Sequence, residues 1–141
     1  MTTVLANGVF DIFHAGHVWH LKQARAMGER LIVALTLDDA VRDQKGEGSP
    51  IVPWHLRREC LLGCRFVDAV VPSVHSVDAI RKVRPDIFVK GSDYVDAIEL
   101  MAPIREACAE VGAELRFTTE PKLSSWAIIQ TILSRREKLC A

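Results

Sequence analysis

Short β-branched runs alternate with longer segments of helical period along this chain, and that alternation is the strongest constraint on its fold. The strand candidates are 3–8, 31–36, 67–71, 87–90 and 113–117. The helix candidates are 16–27, 53–65, 77–84, 97–111 and 124 to about 136. Because alternating strands and helices form a parallel sheet covered on both faces, we predict an α/β fold. It should be a doubly wound, Rossmann-like three-layer sandwich of about five parallel strands.

Two segments carry more detailed predictions. The last helix should turn an apolar stripe inward, formed by Ile128, Ile129, Ile132 and Leu133. The polar, glycine-rich stretch 42–52 (RDQKGEGSPIV) follows the second strand and predicts a mobile loop.

The charge balance excludes several classes of partner. The chain has 18 basic and 18 acidic residues, whereas surfaces for nonspecific nucleic acid or anionic membranes carry a basic excess. No apolar run approaches the roughly 20 residues that span a bilayer, and the N-terminus does not resemble a signal peptide. With 141 residues, 49% of them hydrophobic, the chain can build one ordered domain. We expect one cytoplasmic domain over 1–141 with no nucleic-acid or membrane partner.

The four cysteines favour a structural role. Cys60, Cys64, Cys108 and Cys140 lie in apolar, helical-looking segments and form no CxxC pair. We therefore predict small buried hydrophobic side chains rather than a disulfide or a zinc site.

The segment after the first strand, Asn7-Gly8-Val9-Phe10-Asp11-Ile12-Phe13-His14-Ala15-Gly16-His17, has the features of an anion site. Gly8 permits a sharp turn, and Gly16 lets a ligand approach the unpaired N–H groups at a helix N-terminus. That end of a helix carries a partial positive charge, which suits phosphate. His14 and His17, three residues apart, should be neutral N–H donors to phosphate oxygens.

Other interpretations of the two histidines stay open at this point. They could be structural hydrogen-bonding residues, or two zinc ligands with Asp11 as the nearest third ligand. The glycine spacing matches neither GxGxxG nor GxxxxGK[ST], so neither a dinucleotide fingerprint nor a P-loop is indicated.

The string NGVFDIFHAGHVWHL resembles the HxGH signature of the cytidylyltransferase-like nucleotidyltransferases. The resemblance extends over nearly the whole chain, through RLIVALTLDD, KGEGSPIVPWHLRREC, FVKGSDY and KLSSWAII. Within the family, NGVFD and VKGSDY are most similar to the nucleotidyltransferase domain that makes ADP-heptose. Glycerol-3-phosphate cytidylyltransferase is the next most similar.

This resemblance implies a reaction in which a phosphomonoester attacks the α-phosphorus of a nucleoside triphosphate and expels pyrophosphate. The implied catalytic residues are His14, His17, Lys45 and Arg57. The implied nucleotide-binding residues are Asn7, Gly8, Val9, Phe10, Gly16, Lys90, Gly91, Asp93, Ser124 and Ser125. The implied acceptor-binding residues are Asp11, Asp38 and Trp126, although Asp11 could equally hold its loop by hydrogen bonds to backbone N–H groups. Mg²⁺ should bridge the triphosphate oxygens and need few protein ligands.

The acceptor is the less specific part of the resemblance. Trp126 stands where the family has threonine, and its bulk should reshape the triphosphate or acceptor pocket. The leading expectation is ATP with heptose 1-phosphate, and the alternative is CTP with glycerol 3-phosphate or another small phosphorylated alcohol. Further alternatives are a nucleotide-binding module without turnover and a two-histidine metal hydrolase. The family also implies a homodimer.

Overall fold

The computed structural model describes residues 1–141, which fold as five strands and seven helices. The strands are β1 (Thr3–Gly8), β2 (Arg30–Thr36), β3 (Ala69–Ser73), β4 (Ile87–Lys90) and β5 (Glu114–Phe117). The helices are α1 (Ala15–Ala26), α2 (Asp38–Lys45), α3 (Trp54–Leu62), α4 (Ser76–Val83), α5 (Ile98–Val111), α6 (Ser125–Ser134) and α7 (Arg136–Leu139). A short 3₁₀ turn, Ser92–Tyr94, follows β4.

The five strands form one parallel sheet in the order β3-β2-β1-β4-β5, which confirms the predicted doubly wound architecture. In the register, Ala6 of β1 lies between Val33 of β2 and Val89 of β4. Strands β1, β2 and β3 follow one another toward one edge of the sheet. The chain then crosses back, and β4 pairs with the free side of β1. Ligands of open parallel sheets bind outside the carboxyl ends of the strands where this reversal occurs, here between β1 and β4.

Both faces of the sheet are buried against helices because successive strand side chains point in opposite directions. Val4 and Ala6 pack on one side in a cluster with Leu21 of α1 and Leu61 of α3. Leu5 faces the other side, in a cluster whose helical members are Ala79, Ile80, Met101, Ile104, Ala107 and Cys108. The two clusters fix the central strands, and they therefore fix the positions of the carboxyl ends of those strands.

The stretch predicted as a loop over 42–52 begins as helix, which corrects that boundary. Helix α2 continues to Lys45, because Asp38 and Asp39 occupy its first turn, Arg42 and Lys45 its last, and Val41 is buried. Strand β3 begins two residues later than predicted, at Ala69. The carboxylate of Asp68, just before it, accepts a hydrogen bond from the Leu31 N–H at 2.8 Å.

The prediction that the last helix buries an apolar stripe is wrong for this chain. No residue of α6 is buried, and the side chains of Ile132 and Leu133 are 48% and 59% exposed. The prediction of four buried cysteines is also wrong, since Cys108 alone is buried while Cys60 and Cys140 are exposed. None of the helices has the length and apolar character needed to cross a bilayer.

Candidate active site

A cavity of about 580 Å³ opens at the carboxyl ends of β1 and β4. It gathers most of the residues predicted for the site: Asn7, Gly8, Val9, Phe10, Asp11, His14, Gly16, His17, Lys45, Lys90, Gly91, Asp93 and Ser125. Four predicted residues lie outside its lining: Asp38, Arg57, Ser124 and Trp126. The topological switch point thus brings together segments that are more than 100 residues apart in sequence.

His14 and His17 begin helix α1 and are held by its unpaired backbone N–H groups. Nδ1 of His14, the N-cap residue, accepts a hydrogen bond from the Gly16 N–H at 3.1 Å. Nδ1 of His17 accepts one from the His14 N–H at 3.3 Å, and the two rings stack with centroids 3.7 Å apart. Because each Nδ1 is an acceptor, the proton of each neutral ring is on Nε2. The capping arrangement therefore leaves two Nε2–H donors for a ligand.

Burial keeps both rings neutral. It lowers the pKa of His17 to about 3, with smaller electrostatic contributions from His14, His20 and Lys45. Burial also lowers the pKa of His14. Nε2 of His14 is buried and has no protein hydrogen-bond partner. A buried donor without a partner is costly, and an oxygen of a bound phosphate would satisfy it.

We expect stability to fall as the pH falls from 8 to 5. The pKa of His17 is about 3 in the folded chain and 6.5 ordinarily, so below pH 6.5 the unfolded chain binds more protons at this residue. This difference should remove about 2 kcal/mol of unfolding free energy by pH 5. Urea denaturation at pH 8, 6.5 and 5 measures it. The change should be smaller in His17→Asn and unaltered in His55→Asn, at an exposed histidine; equal changes in both variants would contradict the assignment.

Asp11 ties the histidine-bearing loop to the segment that precedes α3. Its Oδ2 accepts from the Ile51 N–H at 2.7 Å and its Oδ1 from the Val52 N–H at 2.9 Å. Its backbone carbonyl accepts a hydrogen bond from the Ser125 hydroxyl. With both carboxylate oxygens accepting backbone hydrogen bonds, Asp11 has the loop-holding role in this structure.

Arg57 is 1% exposed and lies outside the cavity lining, where it holds neighbouring segments by hydrogen bonds. Its Nε donates to the Val52 carbonyl at 2.8 Å, its Nη1 to the Val9 carbonyl at 2.7 Å and its Nη2 to Asp38 at 2.7 Å. Burial raises the pKa of the Asp38 carboxyl, but the hydrogen bonds from Arg57 and the Trp54 backbone, together with the charges of Arg57 and Arg42, hold that pKa below its ordinary value. A direct contact of Arg57 with phosphate would require this network to open.

The start of α6 carries the two remaining predicted residues. Ser124 is its N-cap, and the Ser124 hydroxyl accepts a hydrogen bond from the Ala127 N–H at 3.0 Å, which is ordinary capping. Trp126 is 65% exposed and does not reach the cavity. The tryptophan therefore does not reshape the cavity of this structure, contrary to the expectation from the sequence.

The cavity also contains residues that sequence reasoning missed, among them His20, His75, Ser76, Tyr94, Glu120 and Lys122. Ser76 donates to Asn7 Oδ1 at 2.6 Å and fixes the amide of Asn7. His20 lies three residues after His17, a helical spacing that could have marked it. Lys90 places its Nζ 4.6 Å from the centre of the Tyr94 ring, and burial lowers its pKa.

An open parallel sheet with two neutral imidazole donors at a helix N-terminus, at its switch point, defines an α/β domain with a site for an anion such as phosphate. The sequence pattern of the cytidylyltransferase-like family matches residues 5–131, so the chain belongs to that family and is a nucleotidyltransferase.

Similar proteins agree with this assignment. The chain is 44% identical over 134 residues to the bifunctional protein HldE of Shewanella amazonensis, and 42% identical over 135 residues to that of Shewanella sediminis. In each case 94% of this chain matches 28% of the relative, so it spans little more than a quarter of their length.

Solved structures share the fold. A lipopolysaccharide core biosynthesis protein from Thermoplasma volcanium superposes with a TM-score of 0.72 at 28% identity, covering 86% of this chain and 99% of that one. Pantoate-beta-alanine ligase from Francisella tularensis superposes with a TM-score of 0.67 at 13% identity, covering 97% of this chain and 69% of the ligase. The second is a likeness of fold alone.

Proposed function

We propose that the protein transfers a nucleoside monophosphate from a nucleoside triphosphate, with ATP favoured, to a sugar phosphate such as heptose 1-phosphate. The observation that carries the proposal is the pair of Nε2–H donors of His14 and His17 at the N-terminus of α1. The preference for ATP and a heptose rests on the similarity of NGVFD and VKGSDY to ADP-heptose-forming domains. Identity to the HldE proteins supports it.

In the proposed mechanism a phosphate oxygen of the acceptor forms a bond to the α-phosphorus. The bond from that phosphorus to the bridging oxygen breaks, and pyrophosphate leaves with the electron pair. Such a displacement needs in-line positioning and stabilisation of charge on the phosphate oxygens, and no covalent intermediate on the protein. The two histidine donors would supply that stabilisation without giving up their protons.

We propose Mg²⁺ as the cofactor. No group of three or more histidine, cysteine or acidic side chains converges anywhere in the chain, so the ion would take most of its ligands from the triphosphate. Asp93 lines the cavity, where its carboxylate lies 3.2 Å from Lys122 Nζ, and it would be a carboxylate available to hold the ion or one of its waters. When bound, the ion neutralises charge on the phosphates.

Lys45→Ala should lower kcat about 10- to 100-fold and leave the melting temperature unchanged. Lys45 is exposed at the end of α2 and lines the cavity, so it can bring positive charge to the phosphates without supporting the fold. Steady-state kinetics and thermal denaturation measure the two effects. Lys138→Ala, at an exposed lysine of α7, is the matched control. Equal kcat for Lys45→Ala and the wild type would remove Lys45 from the mechanism.

Pyrophosphate release tests the proposed function. The protein is incubated with Mg²⁺, each of ATP and CTP, and each of heptose 1-phosphate and glycerol 3-phosphate. Release that requires ATP and the heptose phosphate supports the proposal, whereas release with CTP and glycerol phosphate supports the alternative substrate pair. Nucleotide binding without release across a broad panel indicates a non-catalytic module.

Sedimentation velocity on the same preparation tests the proposed homodimer. A sedimentation coefficient of a monomer at micromolar concentration would contradict it.

A further inference from the structure

Glu120 follows β5 and lines the cavity, and nothing in the mechanism above uses it. Its side chain is only 12% exposed. One carboxylate oxygen, Oε1, lies 3.3 Å from His20 Nδ1. The other oxygen, Oε2, is buried and has no protein hydrogen-bond partner. Apart from Nε2 of His14, it is the one buried side-chain polar atom of the chain in that condition.

The partners of Glu120 are themselves fixed. His20 Nδ1 lies 2.8 Å from the Thr118 hydroxyl, and Thr118 is fully buried. The Thr118 backbone N–H donates to the Lys90 carbonyl at 2.9 Å, which attaches the segment to the end of β4. The carboxylate of Glu120 is therefore held through Oε1, while Oε2 keeps its capacity to accept. Buried carboxylate oxygens are rarely left unpaired, because their desolvation is costly.

The position of this oxygen relative to the two catalytic histidines indicates what it accepts from. His20 lies three residues after His17 on α1, so the two side chains are neighbours on one face, with Cβ atoms roughly 5–6 Å apart. If the α-phosphate lies on His14 and His17, the groups bonded to it are the nucleoside and the β-phosphate. A carboxylate repels a phosphate, so the nucleoside is the group that suits the position beside Glu120. Gly91 lies beside Glu120, since a Cβ at this glycine would lie 3.9 Å from Glu120 Oε1.

We infer that Glu120 is a specificity-determining residue whose Oε2 accepts a hydrogen bond from the nucleoside of the bound triphosphate. This inference rests on the proposed function. A carboxylate accepts and does not donate, so it favours ligands with a donor, which in a nucleoside is a ribose hydroxyl or an exocyclic amino group. The one-turn separation from the phosphate site matches the ribose more closely than the distal edge of the base. A purely structural Glu120 would hold His20 and have no such selectivity.

Calorimetric titration with nucleotides tests the inference without needing the acceptor. The ligands are ATP, 2′-deoxyATP, 3′-deoxyATP and purine riboside triphosphate, which lacks the amino group. CTP, 2′-deoxyCTP and 3′-deoxyCTP cover a cytidine preference. We expect the wild type to bind one of the analogues about 10- to 100-fold more weakly than the parent nucleotide, the usual effect of losing a hydrogen bond to a charged group. A ribose analogue identifies the hydroxyl as the donor, and the purine riboside identifies the amine.

We define the selectivity ratio as the dissociation constant of the analogue divided by that of the parent nucleotide. In Glu120→Ala this ratio of dissociation constants should fall to within about threefold of one, because the acceptor is gone. Glu114→Ala removes an exposed glutamate of β5, paired with Arg116, and should retain the wild-type ratio. If Glu120→Ala lowers the melting temperature, Glu120→Gln preserves the volume of the side chain and should reduce the ratio as well.

Three results would overturn the inference in distinguishable ways. If Glu120→Ala weakens every nucleotide equally, or none, then Glu120 has only a structural role and the proposed function is unaffected. If the wild type binds neither ATP nor CTP, the proposed function fails together with the inference. Equal binding of all analogues by the wild type also excludes a selective contact.

Discussion

Replacing His17 with asparagine is expected to lower kcat for nucleotidyl transfer by about 10²- to 10³-fold while the chain remains folded. The imidazole has two separate functions in the structure. Its Nδ1 accepts from the His14 backbone N–H at 3.3 Å, and its Nε2–H is the donor offered to phosphate. Asparagine can place an oxygen where Nδ1 was, which preserves the cap, but it has no donor at the position of Nε2. The rate loss is the usual effect of removing one donor to a charged transition state.

A second variant separates these two functions. His17→Gln can place an N–H near the position of Nε2 but does not restore the cap, so it should be more active than His17→Asn and less stable. Rapid-quench measurement of transfer, together with urea denaturation of both variants, gives the comparison. His55→Asn, at an exposed histidine outside the cavity, controls for the loss of an imidazole. Near-normal turnover in His17→Asn would falsify the donor role.

Arg57→Met is expected to lower the free energy of unfolding by about 2–4 kcal/mol. The substitution removes three hydrogen bonds that the buried guanidinium makes, to the Val9 and Val52 carbonyls and to Asp38. The acceptors left behind are partly buried, and their desolvation is then uncompensated. Methionine retains much of the side-chain volume, so a cavity contributes little to the loss.

Arg58→Met is the matched control, since Arg58 is 42% exposed and pairs only with exposed Glu59. It should change the unfolding free energy by less than about 0.5 kcal/mol. Equilibrium urea denaturation measures both variants. Arg57→Met should also weaken nucleotide binding, because the Val9 carbonyl that Arg57 holds belongs to the cavity wall. Unchanged stability with lost turnover would instead favour a direct contact of Arg57 with substrate.

The sequence predicted the sheet well because its signals are local. The bounds of β1 and β4 match the predictions to the residue, since each of these central strands contains a run of three apolar residues that is buried on both faces, 4–6 in β1 and 87–89 in β4. The histidine pair was predictable for a similar reason: the N-terminus of a helix and a three-residue spacing are visible in one short segment.

Other features were not predictable because they depend on contacts between distant segments. The apolar period of α6 indicates a face that prefers burial, but periodicity does not say whether this chain supplies the surface that covers it. Glu120 meets His20 across 100 positions of sequence, and the network of Arg57 joins three segments. In sequence Glu120 is indistinguishable from an ordinary surface charge, and the resemblance that marks Arg57 does not show its partners.

The attachment of residues 51 and 52 to Asp11 has a consequence for the motion of Lys45. That lysine ends α2, and the free backbone between it and the attachment is limited to residues 46–50. Ordering a residue costs roughly 1–2 kcal/mol of conformational entropy, so fixing five residues is far less costly than fixing the eleven of the stretch 42–52. A short tether held at both ends also keeps the ammonium at a high local concentration beside the histidines. In the proposed mechanism, bringing this cation onto a triphosphate would therefore cost less than half the ordering entropy that a free loop over 42–52 would require.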